Sequence, residues 1–292
     1  MNHPRPESFG ARLGAAFDAH GHLCVGIDPH EYLLSDWGLA QSATGALEFG
    51  LRVVEACAGR VGIIKPQVAF YERFGSLGFR ALEDVLASAR DAGLLVIADA
   101  KRGDLGSTFE AYAAAWFGAD SPLEADALTV APYMGFGSLA APLAQAKSRG
   151  KGIFVLAATS NPEAGELQTA TVSRGSQAGS SVAGSIAAAV AAYNAEHYEA
   201  ERLGSIGVVI GATVDVDELG ISVEGLAASP AAPVLAPGFG FQGAEAGDVR
   251  RILGASADHA IVTASRSILS AGPGGLGTAI DKQVRQVSEA YE

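Results

Sequence analysis

Short apolar runs alternate along this chain with longer segments in which apolar residues recur at helical spacing. The runs are too apolar to face water on either side, which is typical of strands in a parallel sheet covered on both faces. Strands are therefore predicted at 23–28, 61–65, 94–98, 127–130, 153–156, 207–210, 234–236 and 260–263. The segments between them predict helices at 45–58, 71–92, 108–117, 138–149, 182–203, 216–227, 244–253 and 276–291.

The number of strand–helix units decides between architectures. Regular alternation implies a parallel sheet, and eight units imply closure into a (β/α)₈ barrel, the TIM barrel. A further helix, with Phe9, Leu13 and Phe17 on one face, is predicted over 7–19 as an N-terminal cap on the barrel. Since no stretch has the composition of a linker, we expect a single α/β barrel domain over residues 1–292.

Composition and charge agree with a barrel and argue against several functional classes. The chain has 292 residues, of which 49% are hydrophobic, and this suffices for one large core. A net charge of −12 argues against nucleic-acid binding, although a local cluster of lysine and arginine can still hold a small anion. The first residues lack signal-peptide character, and the alanine-rich run 182–192 is too short to span a bilayer.

The two cysteines, Cys24 and Cys57, lie in apolar segments without the spacing of a metal site or of a disulfide framework. They are interpreted as reduced core residues. With no leader and no membrane span predicted, we expect a soluble protein of the cytoplasm.

Ionisable residues follow the predicted strands. Asp99 and Lys101 end the third strand and point the same way, because side chains alternate along a strand, and Asp104 lies on the next turn. The first and second strands end in Asp28 and Lys65. Chemistry in a (β/α)₈ barrel lies at these carboxyl-terminal strand ends, and burying charge there is costly. The charges either form a structural ion-pair network that plugs the barrel or are held for catalysis, and we favour the second interpretation.

The seventh and eighth strands end in a pattern typical of phosphate binding. Residues 237–244 read Pro-Gly-Phe-Gly-Phe-Gln-Gly-Ala and lead into a helix, so their backbone N–H groups can hold an anion. Arg266 adds a charge suited to bidentate phosphate contacts. A purely structural turn is the alternative. The segment 238–247 and the long loop 159–179 are both predicted to close over a ligand.

Four weaker signals are interpreted structurally. Residues 272–277 match G-x-G-x-x-G but do not directly follow a strand, so we predict a loop and a helix start. His20 and His22 precede the first strand, which is the wrong end of the barrel for catalysis, and His30 is expected in a solvated loop. Arg102 should point away from its charged neighbours toward a structural partner.

These residues, in this order, resemble the orotidine 5′-phosphate decarboxylase family, particularly its longer bacterial branch, over nearly the whole chain. The most specific element is 99–105, Asp-Ala-Lys-Arg-Gly-Asp-Leu, with Thr108, which matches the family pattern D-x-K-x-x-D-[I/L]-x-x-T. Ser265 is a departure, since many members have glycine there, and the resemblance implies that only its backbone N–H makes the contact. The other matching positions are Asp28, Lys65, 160–162, 237–243 and 265–268.

The resemblance implies decarboxylation of orotidine 5′-monophosphate to uridine 5′-monophosphate (UMP) and CO₂, the last step of de novo pyrimidine biosynthesis, without cofactor or metal. The implied catalytic residues are Lys101, Asp99, Asp104 and Lys65. The implied substrate contacts are Asp28, Thr108, Ser160, Gln242, Ser265 and Arg266.

Each implied catalytic residue has its own role. The pyrimidine has no ordinary electron sink at C6, so the carbanion must be stabilised electrostatically, with Lys101 as the adjacent cation and proton donor. By the same resemblance, Asp99 lies against the departing carboxylate, and Lys65 links Asp99 to the ribose. Asp104 and Thr108 reach into the neighbouring subunit's site, which implies a homodimer.

The implied substrate contacts divide along the nucleotide. Asp28 takes a ribose hydroxyl and Ser160 the pyrimidine edge. Gln242, Ser265 and Arg266 hold the phosphate, whose binding energy can stabilise the closed, catalytic arrangement.

There are two alternatives to this function. A Mg²⁺-dependent sugar-phosphate decarboxylase or aldolase of the same barrel suprafamily resembles the chain at Asp99, Lys101 and Asp104. Such enzymes carry a metal-binding acid where this chain has Lys65, and a lysine does not ligate Mg²⁺. A catalytically inactive barrel that senses a nucleotide is the other alternative, but a sensor does not need buried, mutually repulsive acids.

Overall fold

Eight parallel strands form a closed barrel in sequence order in the computed structural model, which describes residues 6–240 and 243–291. The pairing of β1 with β8, in which Cys24 lies opposite Thr263, closes the sheet. This confirms the predicted (β/α)₈ barrel. The strands are β1 Leu23–Ile27, β2 Ile63–Pro66, β3 Leu95–Arg102, β4 Ala127–Val130, β5 Gly152–Ala158, β6 Ile206–Ile210, β7 Val234–Pro237 and β8 Ala260–Ala264.

Helices connect successive strands and cover the barrel's outer surface. The longer ones are α1 Phe9–His20, α3 Ala43–Cys57, α5 Gly75–Asp91, α6 Gly106–Phe117, α7 Ala140–Arg149, α9 Val182–His197 and α13 Gly272–Tyr291. The shorter ones are α2 Glu31–Asp36, α4 Ala69–Glu72, α8 Ala164–Gln168, α10 Val223–Ala227, α11 Val249–Leu253 and α12 Arg266–Leu269.

Helix α1 closes the amino-terminal end of the barrel, as predicted from its apolar face. The Ser8 hydroxyl caps the helix by accepting the N–H of Ala11 at 3.1 Å. Phe9 packs edge-on against Phe154 of β5, with ring centroids 5.8 Å apart. A side chain at Gly152 would collide with the Phe9 ring, so the start of β5 must be glycine for the cap to seat. The opposite end of the barrel is the one left open to hold a site.

Two apolar clusters hold the fold together. The inner one fills the barrel and joins strand residues such as Ile63 and Ile97 to Phe9 and Leu13 of α1. The outer one lies between the strands and the surrounding helices. Both faces of the strands are thus buried, which is why their sequences read as continuous apolar runs.

Two of the predicted helices are shorter than expected. The prediction of helix over 216–227 is wrong before Val223, because Asp215 accepts the N–H groups of Asp217 and Glu218 at 3.0 Å in a side-chain-capped turn. The predicted helix at 182–203 ends at His197 instead. Beyond that point the chain must turn into β6.

Other boundaries moved for local reasons. The helix predicted at 71–92 is divided by Gly75, whose φ of 61° is left-handed, into α4 and α5. The start of the helix predicted at 244–253 is a 3₁₀ turn that passes into α11. The glycine-rich motif at 272–277 forms the first turns of α13, in agreement with its interpretation as a helix start.

The cysteines and the helices bear on the predictions of reduced thiols and of no membrane span. Cys24 and Cys57 are free and buried, and burial raises the pKa of each thiol to about 12. Among the described helices, none combines the length and the apolar character needed to cross a bilayer.

Candidate active site

Lys65 and Asp99 meet inside the open end of the barrel. Lys65 lies on β2 and Asp99 on β3, and Lys65 Nζ donates to Asp99 Oδ2 at 2.9 Å. Both side chains are buried. The other carboxylate oxygen, Oδ1, accepts from Lys101 Nζ at 2.6 Å. One acid is thus bracketed by two ammonium groups.

The electrostatics keep this acid ionised. Burial would raise the pKa of Asp99, but the charges of Lys65 and then Lys101 outweigh it and hold the pKa well below its ordinary range. Burial likewise opposes the charge of Lys65, yet Asp99 and Asp28 together raise its pKa above the ordinary value. Asp99 and Lys65 therefore form a charged pair near neutral pH.

The two lysines differ in accessibility. The Lys65 side chain is 7% exposed, whereas that of Lys101 is 46% exposed. Lys101 also has a left-handed backbone with φ of 48°, the only non-glycine residue of the described chain with positive φ. Such a conformation costs roughly 1–2 kcal/mol for an L-residue. Lys65 is therefore anchored, and Lys101 is the more accessible of the two to a molecule in the barrel mouth.

Two residues of this network were missed by the sequence analysis. The Thr129 hydroxyl, on β4, donates to Asp99 Oδ1 at 2.9 Å and accepts the N–H of Lys101 at 2.9 Å. Gln67 Oε1 lies 3.5 Å from Lys101 Nζ, and Gln67 Nε2 donates to the Asp99 carbonyl at 3.4 Å. A polar side chain in the otherwise apolar run 127–130 is the one signal that could have drawn attention to Thr129.

Asp28 is held by Ser265. The Ser265 hydroxyl donates to Asp28 Oδ2 at 2.5 Å, which joins the end of β1 to the residue after β8. A Cβ on Gly26 would lie 2.8 Å from the Ser265 Cβ, so the serine needs glycine opposite it on β1. From the sequence, only the backbone N–H of Ser265 was expected to make the substrate contact. The structure adds a role for its hydroxyl.

The residues expected to hold phosphate line one small cavity with Asp28 and Lys65. Gly238, Phe239, Ser265 and Arg266 contribute to its wall. Glycines 238, 240 and 243 have φ values of 114°, 86° and 101°, which is why the loop after β7 is glycine-rich. Gln242 lies outside the described residues.

Asp104 and Thr108 lie at the outer edge of the site. Asp104 precedes α6, and its carboxylate accepts the N–H of Leu105 at 2.8 Å. Within residues 6–240 and 243–291 it makes no ion pair, whereas Asp99 makes two. Thr108 is exposed on the first turn of α6. The structure does not bring these two residues to the lysines of their own chain.

Arg102 has the structural partner predicted for it. Its guanidinium lies 3.2 Å from a Glu72 carboxylate oxygen and 5.6 Å from the centroid of the Tyr112 ring. The next residue, Gly103, has to be glycine because a Cβ there would lie 2.5 Å from the Ala131 carbonyl oxygen. This close approach turns the chain out of β3 and carries Asp104 to the surface.

Ser160 lies at the barrel mouth just beyond β5 and is exposed. The loop that it begins includes α8 and is tied back at Gln168, whose side chain accepts the N–H of Thr159 at 3.0 Å. Closure of this loop and of the loop after β7 stays a prediction.

The histidines have structural environments. His22 is stacked between Phe17 and Tyr291, with centroids 4.0 and 3.9 Å away. His30 packs on Phe70 near the barrel mouth. In the described parts of the chain, no three His, Cys, Asp or Glu side chains are grouped as a metal site requires.

Chemically, the arrangement offers a cationic, accessible ammonium beside a buried carboxylate, and next to them a polar cavity. A small anionic molecule fits this charge pattern. The carboxylate at Asp99 would repel a second negative charge placed against it, and Lys101 would attract one.

Comparisons with known proteins agree on one family. Residues 21–275 match the model of the "Orotidine 5′-phosphate decarboxylase / HUMPS family". A Streptomyces coelicolor protein named orotidine 5′-phosphate decarboxylase is 47% identical over 287 residues, covering 97% of this chain and 98% of that one. A Corynebacterium efficiens protein of the same name is 49% identical over 267 residues, or 91% of each chain.

Solved structures give the same result. A Streptomyces avermitilis protein, described as a candidate orotidine 5′-phosphate decarboxylase, superposes with a TM-score of 0.89 at 46% identity, covering 98% of this chain and 97% of that one. The Leishmania donovani OMP decarboxylase superposes with a TM-score of 0.73 at 28% identity, covering 97% of this chain and 98% of that one.

Proposed function

This chain belongs to the orotidine 5′-phosphate decarboxylase / HUMPS family, and from that premise we propose how its residues carry out the reaction. The enzyme converts orotidine 5′-monophosphate to UMP and CO₂ in pyrimidine biosynthesis. Side chains at the open end of the single barrel domain carry out each step without a cofactor.

The observation that carries the proposal is the bracketing of Asp99 by Lys65 and Lys101, at 2.9 and 2.6 Å. A carboxylate fixed in this way faces the carboxylate of the bound substrate, and their repulsion is relieved when CO₂ departs. The ammonium of Lys101 stays attractive throughout, and its attraction grows as negative charge develops on C6.

The bond between C6 and the carboxyl carbon breaks, and its electron pair remains on C6. Lys101 then gives an ammonium proton to C6, which leaves UMP and a neutral amine that regains a proton from water. Lys101 suits this role because its side chain is 46% exposed, whereas the anchored Lys65 is 7% exposed. Lys65 fixes Asp99. It also lines the cavity, from where it contacts the ribose.

The remaining contacts follow the nucleotide away from C6. Asp28, held by Ser265, accepts a ribose hydroxyl, and Ser160 takes the pyrimidine edge. Arg266 and the backbone N–H of Ser265 bind the phosphate, together with Gln242 as expected from the sequence. The shared cavity wall of Asp28, Ser265 and Arg266 supports this order.

We also propose that the active enzyme is a homodimer in which Asp104 and Thr108 complete the partner's site. The loops after β3 and β4 touch at Gly103. These loops and helix α6 expose large apolar side chains. These are Leu105, Tyr112, Tyr133 and Met134. An apolar patch beside an acid without an ion pair in the described chain is what a two-fold interface would cover.

The Mg²⁺-dependent alternative conflicts with the position of Lys65. A metal bound to Asp99 would have to share the space near Oδ2 with an ammonium 2.9 Å away. Two cations at such a distance repel strongly in a buried site. The relatives that match over nine-tenths of the chain carry the decarboxylase name.

A cytoplasmic location is part of the proposal as well. Two buried thiols, Cys24 and Cys57, are unpaired, as is usual in a reducing compartment. Fractionation of the source cells tests it, and recovery of the enzyme outside the cytoplasmic fraction would contradict it.

The test of the function is loss of orotidine 5′-monophosphate absorbance, followed with and without exhaustive EDTA treatment. We expect full activity in both samples and UMP as the product. Activity that disappears with EDTA and returns only with added Mg²⁺ would favour the alternative.

Subunit exchange tests the shared site. Lys101→Ala and Asp104→Ala proteins, each inactive, are mixed under conditions that exchange subunits. In a mixed dimer one site carries both lesions and the other carries neither, so random pairing should restore about a quarter of wild-type activity. If exchange is demonstrated and no activity returns, Asp104 acts within its own chain.

A further inference from the structure

Strand β3 departs from regular pairing where it enters the active site. Ala98 lies opposite Leu128 of β4, and Arg102 lies opposite Val130, so four steps along β3 match two along β4. The additional length forms a bulge, and Lys101 within it has φ of 48°. Left-handed backbone at a non-glycine residue persists only where its surroundings hold it, and such residues cluster at functional sites.

The side chain of Thr129 lies at the centre of this bulge. Its hydroxyl oxygen accepts the backbone N–H of Lys101 at 2.9 Å, and its hydrogen is donated to Asp99 Oδ1 at 2.9 Å. A hydroxyl has one hydrogen and two lone pairs, so it can make both bonds at once. Thr129 is 1% exposed, which leaves water little access to replace either bond.

Three bonds therefore close a ring. Lys101 contacts Thr129 through its backbone, Thr129 contacts Asp99, and Asp99 returns to Lys101 through the ammonium at 2.6 Å. The ring fixes the Lys101 main chain and the carboxylate that its ammonium contacts relative to each other. A residue without a hydroxyl would leave the partly buried Lys101 N–H without this partner, and Asp99 Oδ1 with the Lys101 ammonium alone.

We propose that Thr129 is a positioning residue for the decarboxylation: its hydroxyl holds Lys101 in the left-handed conformation and orients Asp99. The proposal deepens the function above and rests on it. Thr129 does not touch the substrate. It acts through the placement of Lys101 and Asp99, and misplacing a catalytic group by about 1 Å can cost on the order of a hundredfold in rate.

The experiment compares Thr129→Val, which keeps the shape and removes the hydroxyl, with Thr129→Ser, which keeps the hydroxyl. Measured are kcat and KM for orotidine 5′-monophosphate, the Kd of UMP by calorimetry, and the melting temperature. For Thr129→Val we expect kcat to fall by about a hundredfold, with UMP affinity little changed. Thr129→Ser should recover most of the loss. If the valine protein does not fold, Thr129→Ala against Thr129→Ser gives the same comparison.

Each outcome decides the proposal. A Thr129→Val enzyme with near wild-type kcat would overturn it. So would a serine variant as impaired as the valine one, because shape rather than the hydroxyl would then matter, or a parallel loss of UMP binding. Failure of the proposed function shows separately, as wild-type protein that does not decarboxylate the nucleotide.

Discussion

The two ends of the barrel treat their polar groups in opposite ways. At the amino-terminal end, Arg12 of α1 forms an ion pair with Asp126 and donates to the carbonyl of Gly150 at 2.8 Å. The second oxygen of Asp126 accepts the N–H of Val96 at 2.9 Å. The two charges of this pair are matched one to one, and the carboxylate is satisfied on both oxygens.

At the carboxyl-terminal end, charges are shared and the backbone is strained. Asp99 serves two lysines, and Lys101 is held in a left-handed conformation. Asp28 Oδ1 is buried without a hydrogen-bond partner in the described structure. These departures from local rules lie together at the end that we propose performs the chemistry. The first end thus stabilises the fold, and the second uses some of that stability.

Replacing one lysine at each end of the barrel, in separate variants, tests this comparison with the largest expected effect. Lys101→Ala should lower kcat by about 10³-fold or more, since a single oxyanion-hole donor is already worth roughly 10²–10³ and a full charge is worth more. UMP binding and the melting temperature should change little. The measurement is steady-state kinetics alongside calorimetry.

The matched control is Lys151→Ala at the opposite end. Lys151 is a buried lysine, paired with Glu124 at 2.8 Å. Its loss should lower the melting temperature and leave kcat intact. A Lys101→Ala enzyme within tenfold of wild type, a range of about 1.4 kcal/mol, would exclude the role assigned to this lysine.

Replacing Arg266 tests whether the open end also binds the phosphate. Arg266→Ala should reduce kcat/KM for the nucleotide by about a hundredfold, because a bidentate guanidinium–phosphate contact is among the stronger hydrogen-bonded pairs. On orotidine, which lacks phosphate, the variant should match wild type. Gln242→Ala is expected to behave in the same way.

The control for charge alone is Arg251→Ala. Arg251 lies on the nearby helix α11, is 72% exposed and pairs with Asp248. It should have little effect on either substrate. Equal losses on both substrates in Arg266→Ala would show that this arginine does not hold the phosphate.

Arg12 tests the closed end. Arg12→Ala leaves Asp126, 12% exposed, without its counter-charge, and we expect a loss of about 2–3 kcal/mol in the free energy of unfolding. Below the melting transition kcat should equal that of wild type. Urea denaturation measures the first quantity and the decarboxylation assay the second.

An exposed pair at the same end provides the reference. Asp18 lies 3.3 Å from Arg202, and both side chains are mostly exposed. Asp18→Ala should cost less than about 0.5 kcal/mol. If Arg12→Ala were equally mild, or if it lowered kcat, the division of labour between the two ends would be wrong.

The fold could be predicted from the sequence because burial on both faces leaves a direct trace in each strand. Helix ends were harder, since they depend on single turns. The glycine at 75 divides a continuous apolar pattern, and the Asp215 side chain replaces a predicted helical turn. Neither event changes the periodicity of the flanking residues.

The site was predictable to the extent that it follows from strand ends. Lys65 and Asp99 meet because carboxyl-terminal ends of neighbouring parallel strands lie side by side. Thr129 escaped notice because threonine is common in strands and the bulge that gives its hydroxyl two partners is a property of β3 pairing with β4. The Ser265–Asp28 bond likewise depends on a contact between the first and last strands.

The smallest expected effect is on how folding stability depends on pH, and it arises from a residue at the closed end of the barrel. His22 lies before β1, and burial lowers its pKa even though Nδ1–H donates to the Ala260 carbonyl at 2.9 Å. The unfolded chain therefore takes up this proton at a higher pH than the folded protein does. The stability that His22 contributes is present above its unfolded pKa, about 6.5, and is lost as pH falls toward the folded value.

His22→Phe isolates this contribution, because the ring can still stack between Phe17 and Tyr291 but no longer titrates. His30 and His259 also have pKa values that are lowered mainly by burial. In the wild type, all three histidines therefore contribute to the loss of folding stability as the pH falls. We expect the variant's free energy of unfolding to fall less steeply between pH 7 and 5, a window around the histidine pKa of about 6.5, with kcat following the wild-type pH profile. An unchanged slope would place the acid sensitivity elsewhere, and a changed kcat profile would mean that the closed end takes part in catalysis after all.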